Sequence, residues 1–294
     1  MPLPRITVVT PSFNQGQFLE QTILSVLGQN YPDLEYIIID GGSTDNSVEI
    51  ISKYADSLTY WESKPDRGQA HAINKGFGRA TGEIMCWINS DDFFFPHVFH
   101  RLVSFVESDN AELFYGGCLQ FDAEQKWSVI RQPSEPFDRE LYRVLAFFDQ
   151  ASTFWTRRLW EAAGTLDETM HYGFDWEWFN RAADHGQFKV LPFMISAYRF
   201  HASHKTSGGN LESRRREIRE IVGRYANQDS MDVYEAVDKR VLPGIKKLRR
   251  LNSIPGLGRL EHRAERLLLR TCYADVYLRF GSTAVEQAIN MLGV

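Results

Sequence analysis

The chain has 294 residues, 43% of them hydrophobic and 24% charged, and a net charge of −5 at pH 7. This length suits one large domain with an appendage, or two small domains, and the composition is ordinary for a globular protein. The negative charge argues against the basic surface of a nucleic-acid-binding protein, so no nucleic acid is expected as a partner.

The first half of the chain predicts strands that alternate with helices. The predicted strands are residues 6–10, 36–39 and 58–61, with a turn at 11–16 after the first. Apolar residues at helical spacing follow each strand, and the helices are expected to end near Gly28 and, for the third, at Gly82. Repeated β-α units with right-handed crossovers predict a doubly wound parallel sheet.

Residues 84–88 form an apolar run that predicts a strand buried on both faces of this sheet. Asp91 and Asp92 follow that strand closely. Ligands of open α/β sheets bind beyond the carboxyl ends of the strands, so a metal bound to phosphate would lie there. The alternative is a loop whose acids cap the helix that begins after Pro96.

The second half is less regular. Strands are predicted at 113–117, 118–121, 127–131, 151–155, 188–191 and 195–198, and helices at 138–147 and 173–186. Residues 211–294 are charge-rich, helical in pattern and poor in strand signals, which indicates a boundary near residue 208.

Other features of the sequence concern the cellular compartment. The chain has no run of 18 apolar residues, and no signal peptide is expected before the first strand. Cys86, Cys118 and Cys272 are odd in number and far apart, which predicts reduced thiols rather than disulfides. A cytoplasmic protein is therefore expected.

Four segments, taken in their order and spacing, resemble the inverting nucleotide-sugar glycosyltransferases of family 2. They are residues 8–14 (VVTPSFN), 39–45 (IDGGSTD), 72–76 (AINKG) and 89–92 (NSDD), within a resemblance that spans 5–205. It implies the α/β GT-A fold, a Rossmann-like, mostly parallel sheet flanked by helices. The implied organisation is a GT-A domain at 1–208, with a nucleotide-binding half at 1–110 and an acceptor and catalytic half at 111–208, and a helical C-terminal extension at 209–294.

The resemblance implies transfer of a sugar from a UDP- or dTDP-type donor to a hydroxyl of a glycan or lipid-linked acceptor. Mn²⁺ or Mg²⁺ would neutralise the departing diphosphate, and oxygen ligands suit both ions. Asp91 matches the metal-binding acid of the family's Asp-x-Asp motif. The first acid of that motif is Asn89 here, which offers an uncharged oxygen to ribose or water.

The same resemblance assigns residues to the nucleotide. Asp40 is expected to accept a hydrogen bond from a pyrimidine base, with capping of the following helix as the alternative. Many relatives have two consecutive acids where this chain has Asp40 and Gly41. The full set of implied nucleotide-binding residues is Thr10, Pro11, Asn14, Asp40, Asp66, Arg67, Asn89 and Ser90.

An inverting transfer needs a base that removes the proton of the acceptor hydroxyl. Asp175 takes that position in a segment that resembles the family's second acidic motif, and its alternative role is an N-cap. His201, in an Arg-x-His segment, is expected to complete the metal shell or touch a phosphate. Gln150 and Trp176 are expected near the acceptor, with core packing as the alternative for Trp176. Asp92 is expected beside the metal-binding acid or as a capping acid.

Residues 239–270 contain ten basic and two acidic residues interleaved with leucine and isoleucine. This pattern suits an amphipathic helix on the anionic inner face of a membrane, where lipid-linked acceptors lie. The alternative is a solvated helical face that packs on the catalytic domain or on a second subunit of a homo-oligomer.

Two other functions share part of this pattern. A sugar-nucleotide nucleotidyltransferase should have a Gly-rich phosphate loop with Arg and Lys after the first strand, where this chain has residues 11–14 (PSFN). A non-catalytic relative that binds nucleotide-sugar or glycan is favoured by Asn89. A dehydrogenase is disfavoured because no Gly-x-Gly-x-x-Gly follows the first strand.

Overall fold

The computed structural model describes residues 3–106, 108–133, 136–202, 205 and 211–244, and the single residues Val276, Arg279, Val285 and Ile289. The chain divides into two compact units. The first comprises Met1–Phe137 and Phe147–Gly209, and the second comprises Asp138–Ala146 and Asn210–Val294. Each unit is described by itself.

Strands and helices alternate along most of the described chain. The first half contains β1 (Ile6–Ser12), α1 (Gly16–Leu27), β2 (Leu34–Asp40), α2 (Ser47–Lys53), β3 (Tyr60–Ser63), α3 (Gln69–Phe77), β4 (Ile84–Trp87), β5 (Phe93–Phe94) and α4 (Val98–Val106). The second half contains β6 (Leu113–Asp122), β7 (Trp127–Arg131), α5 (Arg139–Tyr142), β8 (Thr153–Thr156), α6 (Arg157–Ala163), α7 (Phe174–Ala182), β9 (Phe188–Phe200), α8 (Leu211–Tyr225) and α9 (Gln228–Ala236).

Nine strands of the first unit, within the described residues, form one sheet in the order β3-β2-β1-β4-β8-β6-β9-β5, and β7 pairs with β6. The strands β1 to β4 are parallel to one another. β8 is antiparallel to β4 and β6, and β9 is parallel to β6, so β4, β6 and β9 run in the same direction. The predicted α/β class is confirmed, and every antiparallel pair among the described strands includes at least one strand of the second half.

The bounds of two elements near the nucleotide-binding half differ from the prediction. Pro11 and Ser12 belong to β1 rather than to a turn, because they continue its pairing with the end of β2. β3 begins at Tyr60, two residues later than predicted. β4 is buried along its whole length, as the apolar run predicted.

The third helix ends earlier than predicted. Gly78 is its C-cap, and its N–H donates to the carbonyl oxygen of Asn74. Gly82 has a different role, since a Cβ there would lie 2.4 Å from Oγ1 of Thr7. That glycine allows the chain to pass close to β1 before it enters β4.

In the second half, pairs of predicted strands merge. Residues 113–117 and 118–121 form one strand, β6, and residues 188–191 and 195–198 lie within β9. The pairing between these strands shifts register around Gly117, which explains the break in each apolar pattern. The helix predicted at 138–147 is only α5, and β5 and α6 are additional elements.

A cluster of buried aromatic rings joins the two halves of the first unit. The ring centroids of Trp87 and Trp155 are 5.2 Å apart, and those of Trp155 and Trp178 are 4.9 Å apart. Phe77 on α3 lies 5.7 Å from Trp155, and Phe179 on α7 lies 6.2 Å from Trp87. Such pairs add about 0.5–1.5 kcal/mol each to the free energy gained by burial. The cluster holds α3 and α7 against β4 and β8.

The second unit is helical in its described part. Arg219 on α8 forms ion pairs with Glu212 and Asp238, and the hydroxyl of Tyr234 on α9 donates to the carbonyl oxygen of Val144. Among the residues with described positions, no helix combines the length and apolar character needed to cross a bilayer. The basic segment predicted at 239–270 lies outside the described residues from 245 onward.

Candidate active site

The loops that follow β1 and β2 are joined by hydrogen bonds at the carboxyl edge of the sheet. The backbone N–H of Asn14 donates to Oγ of Ser43 at 2.8 Å, and Oδ1 of Asn14 accepts from the N–H of Thr44 at 2.8 Å. Asn14 has a φ of 52°, in the left-handed region that asparagine tolerates better than most residues. This predicted nucleotide-binding residue therefore shapes the loop pair at the edge.

Asp40 ends β2 with its carboxylate fully buried. Oδ2 accepts hydrogen bonds from the N–H groups of Gly42 and Ser43 and from Oγ of Ser63, and Oδ1 accepts from Oγ of Ser43. These donors satisfy the carboxylate and fix the turn after β2. Asp40 does not cap the following helix, because the N-cap of α2 is Asn46 and no donor to Asp40 belongs to α2. The contact of Asp40 with a base stays a prediction.

The other residues predicted at the nucleotide have different surroundings. Thr10 is fully buried, with Oγ1 3.1 Å from the hydroxyl of Tyr36, so its side chain belongs to the core. Pro11 is buried within β1. Oδ1 of Asp66 accepts the N–H of Gly68 at 2.7 Å. Arg67 is exposed, and its Nη2 lies 2.5 Å from Oε2 of Glu168.

Asp91 and His201 meet beyond the ends of β4 and β9. Nε2 of His201 lies 3.1 Å from Oδ2 of Asp91, and the two side chains are 5% and 13% exposed. The imidazole also packs against Phe18 of α1, with ring centroids 4.5 Å apart. The structure thus brings together the two residues that the sequence analysis assigned to a metal.

Asp92 is buried and anchors the loop at 89–92. Its Oδ1 accepts the backbone N–H of Arg199 at 3.0 Å, and its Oδ2 accepts from Nδ2 of Asn89 at 3.3 Å. Burial, and then the charge of Asp91, raise the pKa of Asp92 well above its ordinary value. Ser90 is buried in the same loop.

Asp91 and Asp92 do not cap α4, which was the alternative role predicted for them. The N–H of Val98, the first residue of α4, donates to Oε1 of Gln29 at 2.8 Å, and the N–H of Phe99 donates to the same oxygen at 3.4 Å. Gln29, which follows the C-cap of α1, therefore caps α4.

Arg199 connects the loop at residues 89–92, called the acidic loop below, to α1. Its Nε donates to the carbonyl oxygen of Asp91 at 3.0 Å, and its Nη2 donates to Oε1 of Gln21 at 2.5 Å. The guanidinium lies 4.8 Å from the ring centroid of Phe18 and 4.9 Å from that of Phe121. Burial lowers the pKa of Arg199, while the acids Asp92 and Asp91 oppose that change.

Gln69, the first residue of α3, links the acidic loop to Lys205. Its Nε2 donates to Oδ1 of Asn89 at 2.7 Å, and its Oε1 accepts from Nζ of Lys205 at 3.1 Å. The same ammonium lies 5.2 Å from the ring centroid of Phe174 at the start of α7. A positive charge therefore lies between the starts of α3 and α7.

The start of α7, which carries Asp175, lies beside the end of β4, because the ring centroids of Phe174 and Trp87 are 6.4 Å apart. Gly173 is the N-cap, so the alternative of Asp175 as N-cap is wrong, and Asp175 is in the first turn. Its Oδ1 accepts the N–H of Trp176 at 2.7 Å, and the side chain is half-buried.

The two residues predicted near the acceptor differ in exposure. Gln150 is half-buried, and its Nε2 donates to the carbonyl oxygen of Trp87 at 2.8 Å, which fixes it at the end of β4. Trp176 is only 4% exposed, which supports its alternative role in the core.

The side chains at the end of β4 fit a divalent cation that takes some of its ligands from the protein and the others from a substrate. Asp91 and His201 offer one carboxylate and one imidazole at close range, and small divalent ions in phosphate sites take few protein ligands beside phosphate oxygens. No group of three His, Cys, Asp or Glu side chains suited to a metal occurs among the described residues.

The sequence did not predict a role for Gln69 or its contact with Lys205. The contact joins segments 136 residues apart, and Gln69 lies in no motif that carries chemistry. Arg199 was noticed only as a neighbour of His201, although its side chain ties the loop to α1.

Comparison with known proteins identifies the family. The sequence model described as "Glycosyl transferase family 2" matches residues 7–158. The chain therefore belongs to glycosyl transferase family 2. Uncharacterized glycosyltransferases of a Nostoc species and of Haemophilus influenzae are 34% identical over 110 residues and 32% identical over 141 residues. Those matches cover 36% and 47% of this chain, and 34% and 56% of the relatives' own lengths.

Solved structures show the same fold. Staphylococcus aureus TarS, residues 1–349, in complex with UDP-GlcNAc has a TM-score of 0.61 and 13% identity, over 96% of this chain and 90% of that one. The mannosyltransferase PcManGT of Pyrobaculum calidifontis, in complex with GDP-Man and Mn²⁺, has a TM-score of 0.58 and 19% identity, over 97% and 86% of the chains. The expected GT-A fold is confirmed.

Proposed function

We propose that the protein is an inverting glycosyltransferase that moves a sugar from a nucleotide diphosphate donor, UDP or dTDP in type, to a hydroxyl of a glycan or lipid-linked acceptor. The observation that carries the proposal is the 3.1 Å approach of His201 to Asp91 at the end of β4, in a chain of glycosyl transferase family 2. Solved relatives of the same fold hold UDP-GlcNAc or GDP-Man.

Asp91 and His201 would hold Mn²⁺ or Mg²⁺ in this proposal. When bound, the cation supplies positive charge that offsets the negative charge of the departing diphosphate. Asp92 and Arg199 keep the acidic loop in place through the backbone N–H and carbonyl contacts described above. Lys205 adds a second positive charge near the same loop through its hydrogen bond to Gln69.

Asp175 is the proposed base. As the acceptor oxygen attacks the anomeric carbon from the face opposite the leaving group, its proton passes to the Asp175 carboxylate. The bond between the anomeric carbon and the diphosphate oxygen breaks, and its electron pair leaves with the nucleoside diphosphate. The first turn of α7 is packed on Trp87, which fixes the position of this carboxylate relative to β4.

We also propose that the GT-A domain extends over 1–208 and that the helical part, 209–294, contributes the membrane or subunit contact expected of 239–270. Anionic vesicles that co-sediment with the protein at low salt, and release it at high salt, would support the membrane contact. Absence of binding at low salt would reject it.

The test of the function is release of nucleoside diphosphate from UDP-GlcNAc, UDP-glucose, dTDP-rhamnose and GDP-mannose, each with Mn²⁺, with Mg²⁺ or with EDTA. We expect release from at least one donor with a cation and its suppression by EDTA. Binding of a donor without turnover under all three conditions would contradict the proposal and favour the non-catalytic alternative.

A further inference from the structure

A polar cluster connects β6 and β7 with Asp149, which lies in the segment before β8. Oδ1 of Asp149 accepts hydrogen bonds from Nε2 of Gln120 at 2.8 Å and from Nη1 of Arg131 at 3.0 Å. The side chains of Asp149 and Arg131 are 12% and 37% exposed. The carboxylate is therefore held in a fixed place by two donors while part of it remains accessible.

Aromatic side chains share the face of the sheet that carries Gln120. Gln120 is paired with Tyr198 of β9, and the next row outward pairs Asp122 with both Trp127 and Phe200. Directly paired residues point to the same side of a sheet, and residues two apart along a strand do so as well. The ring centroids of Trp127 and Phe200 are 5.0 Å apart, and those of Tyr198 and Phe200 are 5.1 Å apart.

Two residues next to this surface in the chain are hydrogen-bonded at the candidate active site. Gln150, next to Asp149, donates to the carbonyl oxygen of Trp87 at the end of β4. Arg199, next to Tyr198, donates its backbone N–H to Asp92. The chain neighbours of Asp149 and Tyr198 thus contact the end of β4 and the loop that carries Asp91.

The geometry points to an acceptor subsite on this surface, which we name the β6–β7–β9 face and define as Gln120, Trp127, Arg131, Asp149, Tyr198 and Phe200. This inference rests on the proposed function, because it names where the saccharide acceptor of that reaction binds. The occupant is a pyranose unit of the acceptor.

The chemistry of a pyranose matches both parts of the face. Its hydroxyls can donate to the Asp149 carboxylate and accept from guanidinium or amide N–H groups, and hydrogen bonds to charged groups are the stronger ones. Its C–H face is flat and apolar and packs on aromatic rings, which also have a polar tip in tyrosine and tryptophan. Binding sites for small ligands typically combine such apolar walls with a few fixed polar groups.

The test is saturation-transfer NMR with the methyl glycosides of glucose, galactose, mannose, rhamnose and N-acetylglucosamine, in the presence of UDP and the diamagnetic ion Mg²⁺. We expect at least one glycoside to give a signal with the unaltered protein. Asp149→Asn and Trp127→Ala should each reduce that signal roughly fivefold or more, the loss seen when a central contact is removed. Trp127 is only half-buried, so its variant remains informative if Asp149→Asn is unstable.

Ser128→Ala is the matched control, because Ser128 is exposed and neighbours Trp127 on β7 but points to the opposite face. Its glycoside signal should equal that of the unaltered protein. Equal signals in all variants, or no glycoside signal from the unaltered protein, would overturn the subsite.

The same samples separate this inference from the proposed function. Nucleotide signals from UDP, dTDP and GDP report the donor side alone. If the unaltered protein binds a nucleotide but its glycoside signal is absent or unaffected by the two substitutions, only the subsite is wrong. If it binds no nucleotide, the proposed function fails and the subsite fails with it.

Discussion

Asp91 and His201 lie within hydrogen-bond distance although 110 residues separate them in the chain. The contact exists because β4 and β9 run in the same direction and end at the same edge of the sheet. Two neighbouring side chains stabilise this arrangement with hydrogen bonds. Asp92 accepts one from the backbone of β9, and Asn89 accepts one from Gln69. Asn89, in place of an acid, thus has a defined structural partner.

At the residue scale, the charge of Lys205 provides one test. Its Nζ donates a hydrogen bond to Gln69, which in turn donates to Asn89 of the acidic loop. We therefore expect the Lys205 ammonium to contribute to diphosphate binding. Lys205→Gln should weaken UDP binding about tenfold, which corresponds to about 1.4 kcal/mol, and should leave uridine binding nearly unchanged. Isothermal titration calorimetry with both ligands measures the difference.

Lys126→Gln is the control for this experiment, since Lys126 is exposed at the turn of the β6–β7 hairpin. Equal losses of UDP and uridine affinity in the Lys205 variant would show that the side chain acts through general structure rather than through the diphosphate.

At the element scale, α7 is held by the aromatic cluster and by an ion pair between half-buried Arg181 and the buried carboxylate of Glu177. Arg181 donates to both carboxylate oxygens of Glu177 one turn earlier. It also donates to the carbonyl oxygens of Ala163, the last residue of α6, and of Thr165, which follows that helix. Glu177 is only 3% exposed. These contacts fix the rotation of the helix that carries Asp175.

Arg181→Ala leaves the Glu177 carboxylate buried without its ion-pair partner. We expect a loss of about 3–5 kcal/mol in the free energy of unfolding, the range typical for a broken buried ion pair. The double variant Glu177→Gln with Arg181→Leu carries no lone charge and should recover part of that loss. Urea unfolding of the unaltered protein, Arg181→Ala and the double variant measures these free energies. A double variant as unstable as Arg181→Ala would show that the lone buried charge of Glu177 is not the cause of the loss.

The elements also show what the sequence could predict. Buried strands such as β1 and β4 were recognisable because both faces of a central parallel strand are apolar. Their exact ends were not, since the pairing of Pro11 and the close approach at Gly82 depend on neighbouring strands. Asp91 and Asp175 stand in local motifs, whereas Gln69, Lys205 and Asp149 acquire partners only when distant strands and helices assemble.

At the scale of the whole first unit, the candidate active site lies at the carboxyl edge of the sheet, and a network of hydrogen bonds lies at the opposite, amino edge. Glu35 lies near the amino end of β2 and accepts hydrogen bonds from the side chain of Thr7, from the side chain and N–H of Thr81 and from the N–H of Gly82. Burial opposes its charge, but these hydrogen bonds together lower the pKa of Glu35. This network joins β1, β2 and the chain that enters β4.

The pKa of Glu35 is lower in the folded chain than in the unfolded chain. Its ionised carboxylate therefore stabilises the fold at pH values above the unfolded-state pKa, and this stabilisation is lost as the pH falls through the folded-state pKa. We therefore expect Glu35→Gln to reduce the free energy of unfolding by about 1–3 kcal/mol at neutral pH. The difference from the unaltered protein should shrink near about pH 3.5. Urea unfolding at the two pH values measures this, with exposed Asp56→Asn as the control. A constant difference would exclude the charge as the cause.

The proposed function depends on a divalent cation that Asp91 and His201 would hold at the end of β4. Electron paramagnetic resonance of free Mn²⁺, titrated with protein in the presence of UDP, measures this binding directly. We predict that the unaltered protein and Asp56→Asn deplete the free Mn²⁺ signal, while Asp91→Asn and His201→Ala each bind Mn²⁺ at least about tenfold more weakly, a difference of about 1.4 kcal/mol. Mn²⁺ binding of equal strength in all four proteins would contradict the proposal.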